Sequence, residues 1–499
     1  MSKIIYAART NAILGPMGVL VSLFGMVIVV RTLEPALYTE YVTFLALVTW
    51  LRLFGEAGGS IGFMRYLKSA EQTQSRGTFY LSVIGRYCFV GIVMVFALQY
   101  FGPLWAKWAG LSLVTWNPTV FIAVSLIVFV NLSGIIAYYG LLGTFNHEVA
   151  LLSSHVFTIL RTLSIAVVAL FMPTLIALSV VLVLVSMVEN VWYHIKAWSI
   201  FKSERSPLPK GIVMSSNNHG LVTVFDKVTS AMGGGSFLLL ILAPVYGRHE
   251  LAFLAVANDV IQKALSIAGL PMSNMILPYL NNSLSNDEAF DAAAGKVTKL
   301  SMLLFLPVVG AVLIFVPSGL PLLFGDIYRD AIPLALLILI PAFFDSWVRF
   351  VLVSSLITKG KYGQIIILNT VQAILAILAI YVTYKLGLIA IVIAQGLVKL
   401  VTGFGVIGLA YRAGIFSFDL IPQGLMRSTI FAVASGICIW LLTKHLGYWS
   451  VFFQIGSYSL SLLLALKLWL QLDKTMYELL YKLLGKMSPL LRFLLPVKC

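Results

Sequence analysis

Residues 42–64, VTFLALVTWLRLFGEAGGSIGFM, are long and apolar enough to cross a bilayer, yet Arg52 and Glu56 sit in their middle. An apolar run of about 20 residues spans the hydrocarbon core as a helix. A charge at that depth costs roughly 2.5–3.5 kcal/mol on insertion scales, so it marks a functional site by default. Thirteen further stretches read as spans: 11–30, 78–101, 118–142, 150–171, 174–195, 219–242, 251–277, 297–316, 333–357, 363–384, 388–411, 427–445 and 449–471. Their continuous apolarity lacks the alternation of a membrane barrel, and without water the backbone must close its hydrogen bonds within helices. The expectation is an all-α polytopic membrane protein of about 14 helices.

Composition agrees. Hydrophobic residues make up 60% of the 499, charged residues 11%, and mean hydropathy is +0.98. Soluble domains are about 25% charged, so a water-soluble fold is excluded. The net charge of +15 falls between apolar runs and reads as a topology signal rather than a nucleic-acid surface. With the N-terminus cytoplasmic, the inside segments hold twenty Lys/Arg and the outside segments six, which places both termini in the cytoplasm. The first apolar run lacks an Ala-x-Ala site and is expected to be a retained helix.

The most polar connection, 199–218, divides the chain. The expected organisation is a six-helix lobe 1–198, a cytoplasmic linker 199–218, a second six-helix lobe 219–412, helices 13 and 14 at 413–472, and a tail 473–499. Met476, Leu479, Leu480, Leu483, Leu484 and Met487 fall at helical spacing with lysines between them, as in an amphipathic segment on the cytoplasmic lipid surface.

Eight cations lie inside spans: Arg52, Arg86, Arg161, Lys227, Lys263, Arg349, Lys399 and Lys467. Five acids accompany them: Glu56, Glu189, Asp226, Asp259 and Asp345. Arg52/Glu56, Asp259/Lys263 and Asp345/Arg349 are four apart, which puts each pair on one helix face. Each reads either as a structural clamp or as part of a polar passage. Lys467 and Glu189, near span ends, are expected to snorkel to the interface. Arg161 and Lys399 have no acid one turn away and lead the cavity candidates. The excess of cations favours an anionic passenger, such as a phosphate or pyrophosphate, for which guanidinium is suited to bidentate contact. Gly55, Gly58, Gly59 and Gly62, and Gly233, Gly234 and Gly235, serve either close packing or a bend.

Enzyme signatures are missing. There is no Walker A sequence, no HExxH or GxSxG, and His147, His155, His194, His219, His249 and His445 form no ligand cluster. Cys88 and Cys438 sit in apolar runs. No enzyme, cofactor or metal site is expected.

The segment RTLEPALYTEY (31–41), followed by Gly55, Gly58, Arg65 and Tyr66, resembles the first two helices of polysaccharide/O-antigen flippases. These belong to the multidrug/oligosaccharidyl-lipid/polysaccharide exporter superfamily, with the pattern R-x-L-G-P-x-x-Y-G-x-Y. Glu34 and Thr39 replace its two glycines. Asp226 with Lys227, FGDIYRDA (324–331), KGK (359–361) with Asn369, and GLIA (387–390) also resemble family positions. The resemblance implies two six-helix lobes plus a C-terminal pair in a V-shaped alternating-access bundle. It implies a carrier of undecaprenyl-pyrophosphate-linked oligosaccharide across the bacterial inner membrane, coupled in some members to H+ or Na+. Arg52, Arg86, Arg161, Lys227, Lys263, Arg349 and Lys399 are then the substrate-binding candidates, and Glu56, Asp226, Asp259 and Asp345 the ion-coupling candidates. The expected partners are the membrane, the lipid-linked oligosaccharide and a polysaccharide polymerase. Alternatives are a multidrug/cation antiporter of the same superfamily, a peptidoglycan lipid-precursor flippase and a membrane glycan polymerase or ligase.

Overall fold

Every regular element described is helical. The computed structural model describes residues 2–469 apart from 57–58, 113, 145, 274–275, 277–279, 281–286, 418–422 and 444–448, so the tail expected at 473–499 lies outside the described residues. The helices are α1 (Ser2–Thr32), α2 (Pro35–Glu56), α3 (Gly59–Gln72), α4 (Arg76–Trp108), α5 (Pro118–Gly143) and α6 (His147–Phe171). There follow α7 (Leu175–Phe201), α8 (Ile212–Ala231), α9 (Gly235–Leu242), α10 (Arg248–Ser273) and α11 (Asp287–Phe324). Then α12 (Ala331–Val348) runs through a π turn at Arg349–Val353 into α13 (Ser354–Thr358). The chain continues as α14 (Tyr362–Thr383), α15 (Leu388–Arg412), α16 (Gln423–Thr443) and α17 (Trp449–Trp469).

Among the described residues, twelve helical segments are long and apolar enough to cross a membrane, and the bent pair α8–α9 makes a thirteenth. The chain is a multi-pass membrane protein. Of the span expected at 42–64, α2 covers the part up to Glu56 and α3 the part from Gly59, with residues 57–58 outside the described residues. Helix α2, which carries Glu40, Arg52 and Glu56, is not in that set. The sequence also punctuates its helices locally. Asn117 caps α5 by accepting from Val120 N at 3.2 Å, with Pro118 at the first helical position, and Thr174 caps α7 through Ala177 N at 3.2 Å. Gly325 and Gly387 sit at φ +96°, a turn that a side chain would strain.

The chain divides into two compact units, one of Phe24–Ala255 and one of Met1–Leu23 with Val256–Cys499. This division differs from the lobes expected at 1–198 and 219–412. Helices α8 and α9, read from the sequence as the start of the second lobe, pack on α2, and α8 also packs on α3. The close approach depends on Gly62, where any side chain would collide with the Ser216 carbonyl of α8. Small residues allow helix backbones to meet this way. The polar connection between α7 and α8 is docked rather than slack. Gly77 N donates to Glu204 O at 2.8 Å, Ser206 N to Gln74 O at 3.1 Å, and Thr78 Oγ1 to Ser206 O at 2.9 Å. Arg76 adds an ion pair to Glu204 and another to Glu71 at 2.9 Å.

In the other unit, α12 packs on α15, where Gly396 leaves room for Pro341. Helices α16 and α17 pair closely, and Ser435 and Ser461 share a 2.6 Å hydrogen bond between them.

Candidate functional site

Polar residues recur at helical spacing on three neighbouring helices of the 24–255 unit. On α5 these are Asn131 and Tyr138 with Tyr139; on α6 Ser154, Thr158 and Arg161; on α7 Glu189, Asn190 and Tyr193. Spacings of three and four put each set on one face. The three faces, with Arg52 of α2, line one cavity of about 320 Å³. The helices are held together apolarly around it: α5 packs on α2, α6 and α7, and α6 on α7.

Charge in this cavity is +1, from two arginines against one glutamate. Arg161 Nη2 donates to Glu189 Oε2, which joins α6 to α7. Its Nε is buried without a hydrogen-bond partner. Arg161 has no acid one turn away on its own helix, and Glu189 was expected to snorkel. Instead Glu189 reaches across to Arg161 and is only 15% exposed, because a paired charge inside the bundle costs less than an unpaired one. Lys467, by contrast, is exposed at the end of α17. Arg52 is exposed and lines the cavity, and it enters no ion pair among the described residues.

The uncharged lining is equally organised. Tyr138 packs edge-on against Tyr193 at 5.5 Å and against Tyr139 at 5.6 Å. Asn190 is buried, donating from Nδ2 to Ser186 O at 2.6 Å and to Asn131 Oδ1 at 3.4 Å. Its carboxamide oxygen occupies the place that a side chain on residue 134 would need, which makes Gly134 a requirement for this placement. The tyrosines and asparagines carry no charge, so charge inside an apolar span does not point to them. Polar residues recurring on one face of an apolar span were the available signal.

A second cluster in the same unit centres on Glu56, 4% exposed. The expected Arg52–Glu56 pair does not form. Lys227 Nζ of α8 donates to Glu56 Oε1 at 2.8 Å, Ser60 donates to the same oxygen, and the Tyr87 hydroxyl donates to the Glu56 carbonyl. The Glu56 side chain thus meets α3 and α8 rather than its own preceding turn. Asp226 is half-buried beside Lys227. Arg86 donates to Asn217 and lies 6.0 Å from the Tyr87 ring centre. A buried acid outside the expected set, Glu40, is paired with Arg248 at 2.8 Å.

The remaining candidates lie in the unit of 1–23 and 256–499. Asp345 and Arg349 form the expected pair at 2.8 Å, and Arg349 also donates to Asn369 at 3.2 Å and Gln372 at 2.6 Å. Half-buried Lys399 of α15 lies within electrostatic reach of both charges. Asp259 and Lys263 form no ion pair; Lys263 donates to Ser22 Oγ of α1 at 2.9 Å. Within the 24–255 unit the structure places Arg52 and Arg161 in one cavity and gathers Lys227 and Arg86 near Glu56.

No family model matches this sequence, and no curated protein matches it. Solved structures do. The lipid II flippase MurJ in an inward closed conformation superposes with a TM-score of 0.72 at 14% identity, over 90% of this chain and 96% of that one. An outward-facing multidrug resistance MATE transporter of the MOP superfamily gives 0.58 at 15% identity, over 82% and 96%. The Vibrio cholerae MATE transporter VcmN gives 0.61 at 11% identity, over 84% and 98%. The chain thus has the fold shared by these membrane transporters.

Proposed function

We propose that this protein is a flippase, moving undecaprenyl-pyrophosphate-linked oligosaccharide across the bacterial inner membrane for O-antigen, capsule or exopolysaccharide assembly. The observation that carries the reading is the cavity of the 24–255 unit. At membrane depth it combines a net positive charge with tyrosine and asparagine side chains that can hydrogen-bond a glycan. A site for lipophilic cations needs the opposite sign of charge. Both termini are cytoplasmic in this reading, on the Lys/Arg asymmetry of the connections. The cycle alternates between inward- and outward-facing states, and Glu56, Asp226, Asp259 and Asp345 are the candidates for coupling to H+ or Na+. Arg52, Arg86, Arg161, Lys227, Lys263, Arg349 and Lys399 are the candidate contacts to substrate, with a polysaccharide polymerase as the partner that consumes the product.

The likeness to MurJ supports a second reading, a flippase for a peptidoglycan lipid precursor. Deleting the gene in its native host separates the two. Loss of surface polysaccharide with normal growth supports the first, and loss of viability the second. Normal polysaccharide and normal growth would refute both.

A further inference from the structure

Resting on the flippase reading, we infer that the cavity of the 24–255 unit receives an acidic sugar of the oligosaccharide rather than its pyrophosphate. Three observations converge. The first is charge: Arg52 and Arg161 are offset by Glu189, so the cavity matches one negative charge. A pyrophosphate brings two or more and would leave the Glu189 carboxylate facing like charge. The second is donor geometry. Arg52 enters no ion pair among the described residues, and Arg161 keeps a buried, unpartnered Nε beside its bond to Glu189. Together they offer guanidinium N–H groups to one carboxylate, whose two oxygens such groups can bond bidentately.

The third is the rest of the wall. Asn131, Asn190, Ser154 and Thr158 present amides and hydroxyls, and Tyr138 and Tyr193 present ring edges and phenols. That lining suits a ring carrying several hydroxyls, whereas a phosphate oxyanion would want further cations or backbone N–H groups. Size agrees. About 320 Å³ is at the small end of the ~300–1,000 Å³ range of ligand pockets and is enough for one sugar residue. Glu189 sets the selectivity: it holds Arg161 in place and removes one unit of charge from the site.

The full-length protein, purified in detergent, is titrated by calorimetry with three probes: a disaccharide containing glucuronic acid, the same disaccharide with glucose in its place, and inorganic pyrophosphate. The uronate probe is expected to bind at least tenfold tighter than either of the others. Arg52→Met, which breaks no ion pair, should erase the difference between the two disaccharides while the melting temperature stays put. Glu189→Gln, which keeps a hydrogen bond to Arg161, should shift preference about tenfold toward pyrophosphate. Equal binding of both disaccharides, tighter binding of pyrophosphate to the native protein, or no binding of any probe overturns the inference. None of these results bears on the flippase reading, which surface polysaccharide in the deletion strain decides separately.

Discussion

Glu56 shows how a residue's chemistry can be read before its partner can. Its charge inside an apolar span marked it in the sequence, but helix spacing pointed to Arg52, and the partner is Lys227 of α8 at 2.8 Å. Removing one member of a buried pair leaves the other charge uncompensated, a loss of about 3–5 kcal/mol, whereas replacing both by apolar groups is close to neutral. Lys227→Met alone is therefore expected to lower the melting temperature of the purified protein sharply, and adding Glu56→Leu should recover most of it; equal melting of the single and double variants would contradict the pairing. Gly134 carries the opposite kind of information. In sequence it is one small residue among many, but a methyl there collides with the Asn190 carboxamide. Gly134→Ala should displace Asn190 from the cavity and weaken glycan binding at least fivefold with little change in helicity, checked by calorimetry and circular dichroism.

At the level of elements, hydrophobic length located the spans well and charge located the exception. Among the described residues, thirteen of the fourteen expected spans correspond to helical segments that could cross a membrane, the bent pair included, and the exception carries the buried Glu56. Glycine patterns were ambiguous in sequence and the structure separates their uses. Gly62 brings α8 against α3, while the stretch at Gly233 and Gly234 lies where α8 and α9 meet at 68°. The connection after α7 read as a linker because it is polar. Its backbone groups are instead satisfied by the α3–α4 turn, with Arg76 and Glu204 as the side-chain clasp. Glu204→Ala is expected to free this strap, so that trypsin cuts at Lys202, Arg205 or Lys210 several-fold faster than in the native protein. An unchanged cleavage rate would mean that the backbone bonds alone hold it.

For the molecule as a whole, the prediction concerns transport. Arg161→Gln, which keeps a hydrogen bond to Glu189, and Lys399→Ala should each abolish surface polysaccharide while leaving the amount of protein in the membrane fraction unchanged. Immunoblotting of that fraction beside polysaccharide gels checks both, and normal polysaccharide in both strains would remove these side chains from the passage. The sequence by itself determined that this is a helical membrane protein with charge buried in its spans, because hydrophobic length and the cost of a buried ion are properties of single segments. Only the tertiary structure decided who meets whom. Arg161 faces Glu189 from a neighbouring helix, Glu56 turns from its own helix to α8, and three polar stripes converge with Arg52 on one cavity. Those contacts depend on how helices are rotated and brought together, a long-range packing outcome that spacing along one helix cannot encode.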